Sequence, residues 1–514
     1  MKKIYFNGNF ITLENNEIEA LAIENGKIIK TGTKEEVMEL VDGNTEVIDL
    51  KGQTMMPAFL DAHSHIFALA KQLLEVSIEG LTSIEEIKIK LIEYKNNNEL
   101  NDWIIVNGYD NNLLKDRKHI TKRELDDIFP NTPLIIENRS RHNGVVNSKA
   151  LEKLGITSET KDPQGGKISY ETGLLEENAF IDSLKKIPLP KKENIVKSFI
   201  EAQKIYASYG ITTAQEGVIT KELADIYKLL IDKNEIFLDI VAYMDNKNVN
   251  EIEDFYGEYI NNYRKNFKIA GIKIFLDGSL QAKTAWLRKE YQNEEKYFGY
   301  RIMKDDEVEE ALQRAKRMNL QILAHCNGDK AAEQYINAIE KVKDLKRPVM
   351  IHAQLLGLDQ LEKVKENNII PSFFISHVYY FGDIHIENLG IKRAEHISPA
   401  GSSLKHNILF SFHQDTPVIM PNMFETIWCA VNRKTKKGVI LGKDEKIPVI
   451  EAIKAVTINA AYQYGEEEVK GSIKEGKNAD LIIIDKNPLC INADDLRNLK
   501  IVETIKNGET IFKR

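Results

Sequence analysis

Apolar runs alternate with amphipathic segments through the middle of the chain, from about residue 57 to about residue 433. In the amphipathic segments the apolar side chains recur at helical spacing, as they do at Val308, Ala311 and Ala315. This alternation is typical of a parallel α/β sheet or barrel, and eight repeats of it favour a (β/α)8 TIM barrel over an open sheet. The eight predicted strands are residues 58–63, 211–215, 237–243, 271–276, 320–325, 349–352, 369–374 and 408–412.

The two ends of the chain have a different pattern. Residues 1–56 contain short apolar segments without a helical period, separated by turn residues. Residues 434–514 contain similar segments, rich in β-branched side chains, at 479–484 and 501–506. We therefore predict that the two ends pack together as one small β-sandwich domain and that residues 57–433 form the barrel domain.

The stretch at about 66–208 is too long for one crossover between two strands, and it contains strand-like and helical segments of its own. We interpret it as an insertion after the first strand. A helix is predicted to begin at Ser83, because Ser83 and Glu86 have the spacing of a capping box. Loops that follow barrel strands lie at the catalytic face, so we expect the insertion to form a wall or lid of a substrate pocket.

Composition and charge narrow the range of functions. The 514 residues include 70 Lys and Arg against 78 Asp and Glu, which gives a net charge of −8 without a basic block. This balance argues against nucleic acid or an acidic membrane surface as the main partner, and it favours a small-molecule substrate. With 42% apolar and 29% charged residues, the chain has the composition of an ordinary globular protein, and we predict no transmembrane segment.

The N-terminal sequence and the cysteines bear on the cellular compartment. Residues 7–9, Asn-Gly-Asn, stand where a secretory signal would have its apolar segment, so we expect a cytoplasmic protein. The cysteines Cys326, Cys429 and Cys490 have no C-x-x-C spacing. We therefore predict neither a disulfide framework nor a zinc site made of thiolates.

Candidate chemistry begins just past the first predicted strand, at His63-Ser64-His65. Residues i and i+2 of a strand point to the same face, so both imidazoles can reach one metal ion at the mouth of the barrel. Two histidines this close are also common as surface or turn residues. The pair alone therefore leaves both interpretations open.

Three more candidate ligands follow predicted strands. His325 and His352 each end an apolar run, and Asp415 lies just past the run at 409–412. A single histidine in such a position is often a core residue, and a single aspartate often caps a helix. Those roles do not explain why such residues recur at the carboxyl ends of several parallel strands. We therefore predict a metal centre at that edge of the barrel.

Lys273 interrupts an apolar strand that is expected to be buried on both faces. Burying an ammonium group is costly, and a desolvated lysine loses its proton easily. The neutral amine can then add carbon dioxide to form a carbamate, whose two oxygens can bridge two divalent cations. The alternative is an ordinary lysine that pairs with Asp277 or extends to the mouth of the barrel. We favour the carbamate because the candidate ligands lie nearby in the predicted barrel.

With these residues in view, the sequence resembles the amidohydrolase superfamily, in particular the branch that contains N-substituted formamide deformylases. The resemblance covers nearly the whole chain. It rests on the segments 57–65 (PAFLDAHSH), 271–279 (GIKIFLDGS), 324–329 (AHCNGD), 411–417 (SFHQDTP) and 471–481 (GSIKEGKNADL).

The resemblance implies a role for each candidate ligand. It implies that His63, His65 and Asp415 bind one zinc ion, that His325 and His352 bind a second, and that carbamylated Lys273 bridges the two. Two such cations lower the pKa of a shared water to about 7 and polarise a scissile carbonyl. Asp415 is then expected to take the proton of this water and return it to the departing amine.

Two further segments, 141–151 and 162–167, resemble an insertion characteristic of this branch. They imply that His142 lies near the substrate, and we assign His142, Asp277 and Glu216 to substrate binding. The alternative for the first segment is that Asn147 and Ser148 cap a helix, with His142 packed beneath it.

The chain also departs at two places from the family that it resembles. Many of its members have Gly-Ser where this chain has His413-Gln414, which places a histidine on the same face as Asp415. Glu216 ends the second strand and is either a further metal ligand or a neighbour of one. These two features leave the number of metals and the substrate class open.

The sequence therefore predicts a metal-dependent hydrolase that cleaves a non-peptide carbon–nitrogen bond, with an N-substituted amide or formamide as the best candidate substrate. The alternative in another reaction class is an ester, lactone or cyclic amide hydrolase that uses the same site. A non-enzymatic regulatory scaffold is disfavoured, because a scaffold needs no intact set of metal ligands. Related barrels commonly form dimers, so a homodimer is a further expectation.

Overall fold

A computed structural model describes the chain except for residues 15, 98–101, 110, 112, 113, 116, 139–142, 164, 165 and 189. The chain divides into two compact units. The first contains residues 1–66 and 203–514, and the second contains residues 67–202. The first unit holds both chain ends and all eight predicted barrel strands, whereas the second is made of residues from the predicted insertion.

An eight-stranded parallel sheet dominates the first unit. Its strands are paired in chain order, each with its neighbours along the sequence. Most of their side chains are buried on both faces, which is why they appear in the sequence as continuous apolar runs. The strands are β1 (Phe59–Leu60), β2 (Ile211–Ile219), β3 (Asp239–Asp245), β4 (Phe267–Phe275), β5 (Gln321–Cys326), β6 (Val349–His352), β7 (Ile370–Phe373) and β8 (Ser411–Phe412).

The carboxyl ends of the first and last strands lie next to each other. The N–H of Asp415 donates to the carbonyl of His63 at 3.1 Å, and the N–H of His65 donates to the carbonyl of Thr416 at 2.8 Å. The sheet is therefore curled, and it is consistent with the predicted barrel. Because all eight strands are parallel, the residues that follow them meet at one edge.

The first and last strands are shorter than predicted. Ala58 and Leu60 donate their N–H groups to the carbonyls of Asp480 and Val456, which lie outside the sheet. At the other end of the sheet, the N–H of Ile408 donates to the carbonyl of Ser403 in the preceding helix. An apolar run predicts burial, but it does not show which partner takes the backbone hydrogen bonds.

Helices follow strands β2 to β8 along the chain. None of the helices that the structure describes is both long and apolar enough to cross a membrane. The helices after β2 to β8 are Lys221–Asp232, Val249–Tyr256, Asp305–Arg317, Asp329–Val342, Leu361–Glu366, His377–Tyr380, Gly382–Leu389, Ile391–Ala394, Ala400–Lys405, Met423–Asn432, Val449–Ala455 and Ile458–Tyr464.

The chain ends form two further sheets in the first unit, one made of N-terminal strands alone and the other of strands from both ends. Tyr5, Leu21, Leu50, Leu481 and Ile505 belong to one buried apolar cluster that joins the two ends. One sheet has the order Lys27–Gly32, Ala20–Glu24, Lys2–Phe6 and Thr45–Asp49, and the helix Lys34–Met38 packs beside it; the other has the order Asn9–Phe10, Thr54–Pro57, Leu481–Ile484, Ile501–Lys506 and Glu509–Lys513.

Two helices, Val449–Ala455 and Ile458–Tyr464, lie within the range predicted for the β domain. Gln463 Nε2 donates to the carbonyl of Ala62 at 2.8 Å, and Asn459 Nδ2 donates to the carbonyl of Phe410 at 2.9 Å. The second helix therefore binds the backbone next to the first and last strands of the sheet.

The second unit has a six-stranded sheet and its own apolar cores. Ser83 and Glu86 form the predicted capping box, since each side chain accepts from the backbone N–H of the other residue. Between residues 66 and 208 the helices are Ile66–Gln72, Ile84–Asn97, Lys122–Ile128, Ser148–Leu154, Asn178–Leu184 and Lys192–Ser208, and the strands in sheet order are Gly166–Ser169, Leu174–Glu177, Asn143–Val146, Leu134–Asn138, Ile104–Tyr109 and Val76–Ser77.

Candidate metal centre

His63, His65 and Asp415 converge at the carboxyl edge of the eight-stranded sheet, where β1 and β8 meet. One potential ligand atom from each lies within 4.8 Å of the others. Asp415 Oδ1 is 3.6 Å from His63 Nε2 and 3.5 Å from His65 Nε2. Two nitrogen or oxygen ligands on a tetrahedral zinc ion are about 3.4 Å apart, given bond lengths near 2.05 Å. The donor types and their spacing therefore fit a divalent cation.

Gln215 determines which nitrogen of His63 faces this group. Gln215 Nε2 donates to the carbonyl of Ala62 at 2.7 Å, so its Oε1 points to His63 Nδ1 at 2.5 Å. An amide oxygen can only accept, and His63 Nδ1 must therefore carry the proton. The lone pair of His63 is then on Nε2, on the side of Asp415. Burial, followed by the nearby Lys273, holds the pKa of His63 well below its usual value, so the ring is neutral.

Glu216 lies on the other side of His65. Its Oε1 is 3.7 Å from His65 Nδ1, and its Oε2 accepts a hydrogen bond of 2.7 Å from the hydroxyl of Tyr227. Glu216 is 2% exposed. A carboxylate next to Nδ1 favours the proton on that nitrogen, which leaves Nε2 of His65 to face Asp415.

Gly217 allows both imidazoles to come this close to β2. A Cβ atom at this position would lie 2.6 Å from His63 Cε1 and 2.8 Å from His65 Cε1. Both distances are shorter than van der Waals contact, so any side chain here would push the two rings away from their positions.

We expect Gly217→Ala to weaken metal binding by at least about tenfold, because both rings must move. The measurement is metal content after dialysis against a buffered metal concentration. Gly257→Ala is the matched control, since Gly257 has open space around its Cβ position and no positive φ. Equal metal affinity of the Gly217 variant and the control would show that the two rings are not held as described.

Lys273 lies near the end of β4 with 1% of its surface exposed. Its Nζ is 3.3 Å from His63 Nε2. Burial lowers the pKa of Lys273 to about 7, so much of the amine is neutral at physiological pH. The side chain of Lys273 is buried and does not extend to solvent. This disfavours the alternative in which its amine reaches the mouth of the barrel.

Asp277, the other alternative partner of Lys273, has its carboxylate occupied by backbone donors. It accepts from the N–H groups of Trp286, Asn327 and Gly328 at 3.0, 2.9 and 2.7 Å. Its Oδ1 also lies 3.3 Å from His325 Nδ1. The carboxylate is thus placed to orient the imidazole of His325 and to hold the loop after β5.

His352 ends β6 beside His325, with 4.6 Å between the two ring centroids. Its Nε2 is 4.0 Å from Asp415 Oδ2, and its Nδ1 is 3.2 Å from His413 Nε2. His352 and Asp415 both have positive φ angles, +69° and +52°. Such backbone conformations cost about 1–2 kcal/mol for residues other than glycine and are common at functional sites.

A chain of hydrogen bonds that begins at Gln463 fixes the tautomer of His352. Gln463 Nε2 donates to a backbone carbonyl, so its Oε1 faces Ser411 Oγ at 2.6 Å and takes the only proton of that hydroxyl. Ser411 Oγ is 2.9 Å from Ser372 Oγ and therefore accepts from Ser372. Ser372 in turn accepts from His413 Nδ1 at 2.9 Å. His413 Nε2 is left as an acceptor for the Nδ1–H of His352.

The lone pair of His352 is therefore on Nε2, the nitrogen nearer Asp415. Burial, and then the charge of His325, holds the pKa of His352 well below its usual value. Burial, and then the charge of Lys273, does the same for His413. His413 thus fixes the tautomer of His352 by accepting its Nδ1–H.

The structure brings together most of the residues selected from the sequence. His63, His65, Lys273, His352 and Asp415 are linked by the distances above, and His325 touches His352. Asn147 caps the helix Ser148–Leu154, as one interpretation of that segment expects, and His142 lies outside the described residues. Sequence reasoning missed Gln215, Gly217, Ser372, Ser411 and Gln463, whose roles depend on contacts between distant parts of the chain.

Comparison with known proteins places the chain among hydrolases. It is 28% identical to YtcJ of Bacillus subtilis (strain 168), described as an amidohydrolase, over 100% of both chains. The N-substituted formamide deformylase of Arthrobacter pascens is 24% identical over 99% of this chain and 98% of that protein. The crystal structure of an uncharacterized metal-dependent hydrolase from Pyrococcus horikoshii OT3 has a TM-score of 0.84 and 26% identity, and covers 96% of this chain and 99% of that one.

A sequence model of the amidohydrolase family matches residues 46–512, which is most of the chain. The resemblance noted in the sequence is therefore confirmed, and so is the prediction that the protein is an enzyme. The matched range includes every residue of the candidate metal centre. The chain belongs to the amidohydrolase family.

Proposed function

We propose that the protein is a metal-dependent hydrolase that cleaves the carbon–nitrogen bond of an N-substituted amide or formamide. The observation that carries the proposal is the convergence of His63, His65 and Asp415 beside the buried amine of Lys273. The relatives described above, one of them an N-substituted formamide deformylase, support it. The proposal includes a closed (β/α)8 barrel, with the two sheets of the chain ends as a β-sandwich.

Two zinc ions are the metals we propose, one held by His63, His65 and Asp415 and the other by His325 and His352. When bound, zinc supplies a water of pKa near 7 and polarises a carbonyl oxygen. The neutral state of His63 and His352 suits this role, because a protonated imidazole has no lone pair for a metal.

Lys273 is proposed to carry a carbamate between the two metals. Its neutral amine attacks carbon dioxide to form a carbon–nitrogen bond, and the resulting acid releases one proton to give an anion with two oxygens. The buried position and the lowered pKa, about 7, supply the neutral amine that this reaction needs. The anion also offsets the positive charge that two cations would bring into a buried site.

Asp415 is proposed to move the proton. Its carboxylate takes a proton from the attacking water and later donates it to the amine as that group leaves. Its side chain is 15% exposed, whereas that of His63 is 2% exposed, so Asp415 is the more open of the two toward a substrate. His63 Nε2 and His65 Nε2 lie 3.6 and 3.5 Å from its Oδ1, close enough for the three groups to share one cation.

The test is a panel of N-substituted formamides, other amides, esters, lactones and cyclic amides, assayed with the zinc-loaded enzyme. We expect turnover of formamides or amides, with loss on treatment with a chelator and recovery on return of zinc. Turnover of lactones, esters or cyclic amides alone would select the alternative reaction class. Purified protein with no stoichiometric metal and no turnover would favour a scaffold over an enzyme site.

A further inference from the structure

His377 and His385 form a second histidine pair at the same edge of the sheet. His377 begins the helix that follows β7, and His385 lies in the next helix. Strand β7 lies between β6 and β8, so its carboxyl end lies between the end of β6 at His352 and the end of β8, which Asp415 follows. None of the roles assigned so far uses either member of this pair.

Phe374 connects the pair to the candidate metal centre. Its ring centroid is 4.4 Å from that of His377, 5.5 Å from that of His413 and 6.3 Å from that of His352. The charges of His413 and His325 are also close enough to lower the pKa of His377, after the larger effects of burial and of His385. His377 is thus a close neighbour of the metal centre, on the side of β7.

The two rings lie edge to edge, nearly in one plane, and share one hydrogen bond. They are nearly parallel, with an interplanar angle of 10°, and His377 Nδ1 is 3.1 Å from His385 Nε2. His385 is fully buried and His377 is 4% exposed. Burial lowers the pKa of His385 to about 4, and that of His377 is also well below its usual value, so both rings are neutral.

The surroundings of His385 Nδ1, the nitrogen of that ring outside the shared hydrogen bond, decide which ring donates. His385 Nδ1 is buried without a partner among the described residues. If His377 donated the shared hydrogen bond, His385 would carry its own proton on Nδ1, and this buried N–H would have no acceptor, which is rare and costly. If His385 donates instead, its Nδ1 has no proton and is only an unused acceptor. His385 Nε2–H therefore donates to His377 Nδ1. In a neutral ring, His377 must then carry its own proton on Nε2.

His377 Nε2 has no hydrogen bond to any residue in the described part of the chain, and it is not among the buried unpartnered atoms. The small exposed part of the ring therefore includes this nitrogen. The result is a neutral N–H donor held in one tautomer, without a protein acceptor, beside the metal centre. A donor of this kind suits an oxygen that gains negative charge during a reaction.

We propose that His377 Nε2–H donates a hydrogen bond to the carbonyl oxygen of the substrate, and that His385 is a positioning residue that holds His377 in this tautomer. The inference rests on the proposed hydrolysis of an amide or formamide, because both have a carbonyl oxygen that becomes an anion when water adds. A neutral donor stabilises that oxygen without adding a further positive charge next to the metals. No bond to His377 is made or broken.

The first test is the tautomer itself, measured by long-range ¹H–¹⁵N NMR on protein labelled at histidine. We expect His377 with its proton on Nε2. His385→Phe keeps an aromatic ring at this position but removes the donor, so the proton of His377 should move to Nδ1 at least in part. His385→Gln restores an N–H donor without the aromatic ring and should return it to Nε2. A wild-type spectrum with the proton on Nδ1 would overturn the proposal whatever the activity.

The second test is kinetic, with the best substrate of the panel. Loss of one oxyanion donor typically costs about 10² to 10³ in kcat, and we expect His377→Phe to lose that much with unchanged metal content. His385→Phe should lower kcat with little change in KM, and His385→Gln should recover most of it. His396→Gln, a change of an exposed histidine, is the control.

The two proposals can fail separately. Normal kcat in His377→Phe, with an active wild-type enzyme, would remove His377 from the reaction and leave the proposed hydrolysis intact. If the wild-type enzyme turns over no member of the panel, the proposed hydrolysis fails, and the donor role of His377 fails with it. The NMR result would then still decide whether His385 fixes the tautomer.

Discussion

Asp415→Asn is expected to lower kcat by about 10²- to 10⁴-fold while leaving the melting temperature close to that of the wild type. An amide has nearly the same shape as a carboxylate, but it cannot carry a proton from water to a leaving amine. The backbone should tolerate the change well, because Asp415 has a φ of +52° and asparagine is among the residues that adopt such angles most readily. Steady-state rates beside a thermal melting curve make the comparison.

The competing role for Asp415 is a turn residue without chemistry. The N–H of Val418 donates to the carbonyl of Asp415 at 2.9 Å, and this backbone bond would survive the substitution. Under that role, both activity and stability would stay near the wild-type values. Asp254→Asn, on the exposed side of a helix in the same unit, is the matched control. Turnover of Asp415→Asn equal to that of the control would remove Asp415 from the mechanism.

The strands and the positions of the candidate ligands could be predicted because each depends on local sequence. A strand buried on both faces is a continuous apolar run, and a residue at its carboxyl end is recognised from where the run stops. His325 and His352 are of this kind. The i, i+2 spacing of His63 and His65 also needs no tertiary contact. The chemistry of these residue types then follows from their common edge in a parallel sheet.

The supports of the site could not be predicted in the same way. Gln215 is one more polar residue in a strand until its amide is seen between Ala62 and His63, which is 152 positions away. Gly217 has no sequence signal that distinguishes it from a turn glycine, since its importance is the absence of a Cβ against two rings. The orientation of His413 depends on Gln463, in a helix that the sequence pattern assigned to the β domain.

Replacing Lys273 by alanine is expected to remove metal and activity together, since the proposed bridge between the two cations is lost. The substitution also leaves a cavity, because Lys273 is 1% exposed. A short carboxylic acid such as acetate or propionate fits such a space and supplies two oxygens, so it should restore part of both metal content and activity. Metal analysis and steady-state rates, with and without the acid, measure this.

Lys273→Met is the control that distinguishes the loss of the amine from the loss of side-chain volume. Methionine keeps much of the volume but can neither add carbon dioxide nor leave room for an acid, so neither metal nor activity should return. In the wild type, carbamate forms from the neutral amine, whose share rises with pH through about 7. Metal uptake by chelated wild-type protein in bicarbonate should therefore increase as the pH rises through this value. Full metal content in Lys273→Met would instead mean that Glu216 or another group holds the two ions together.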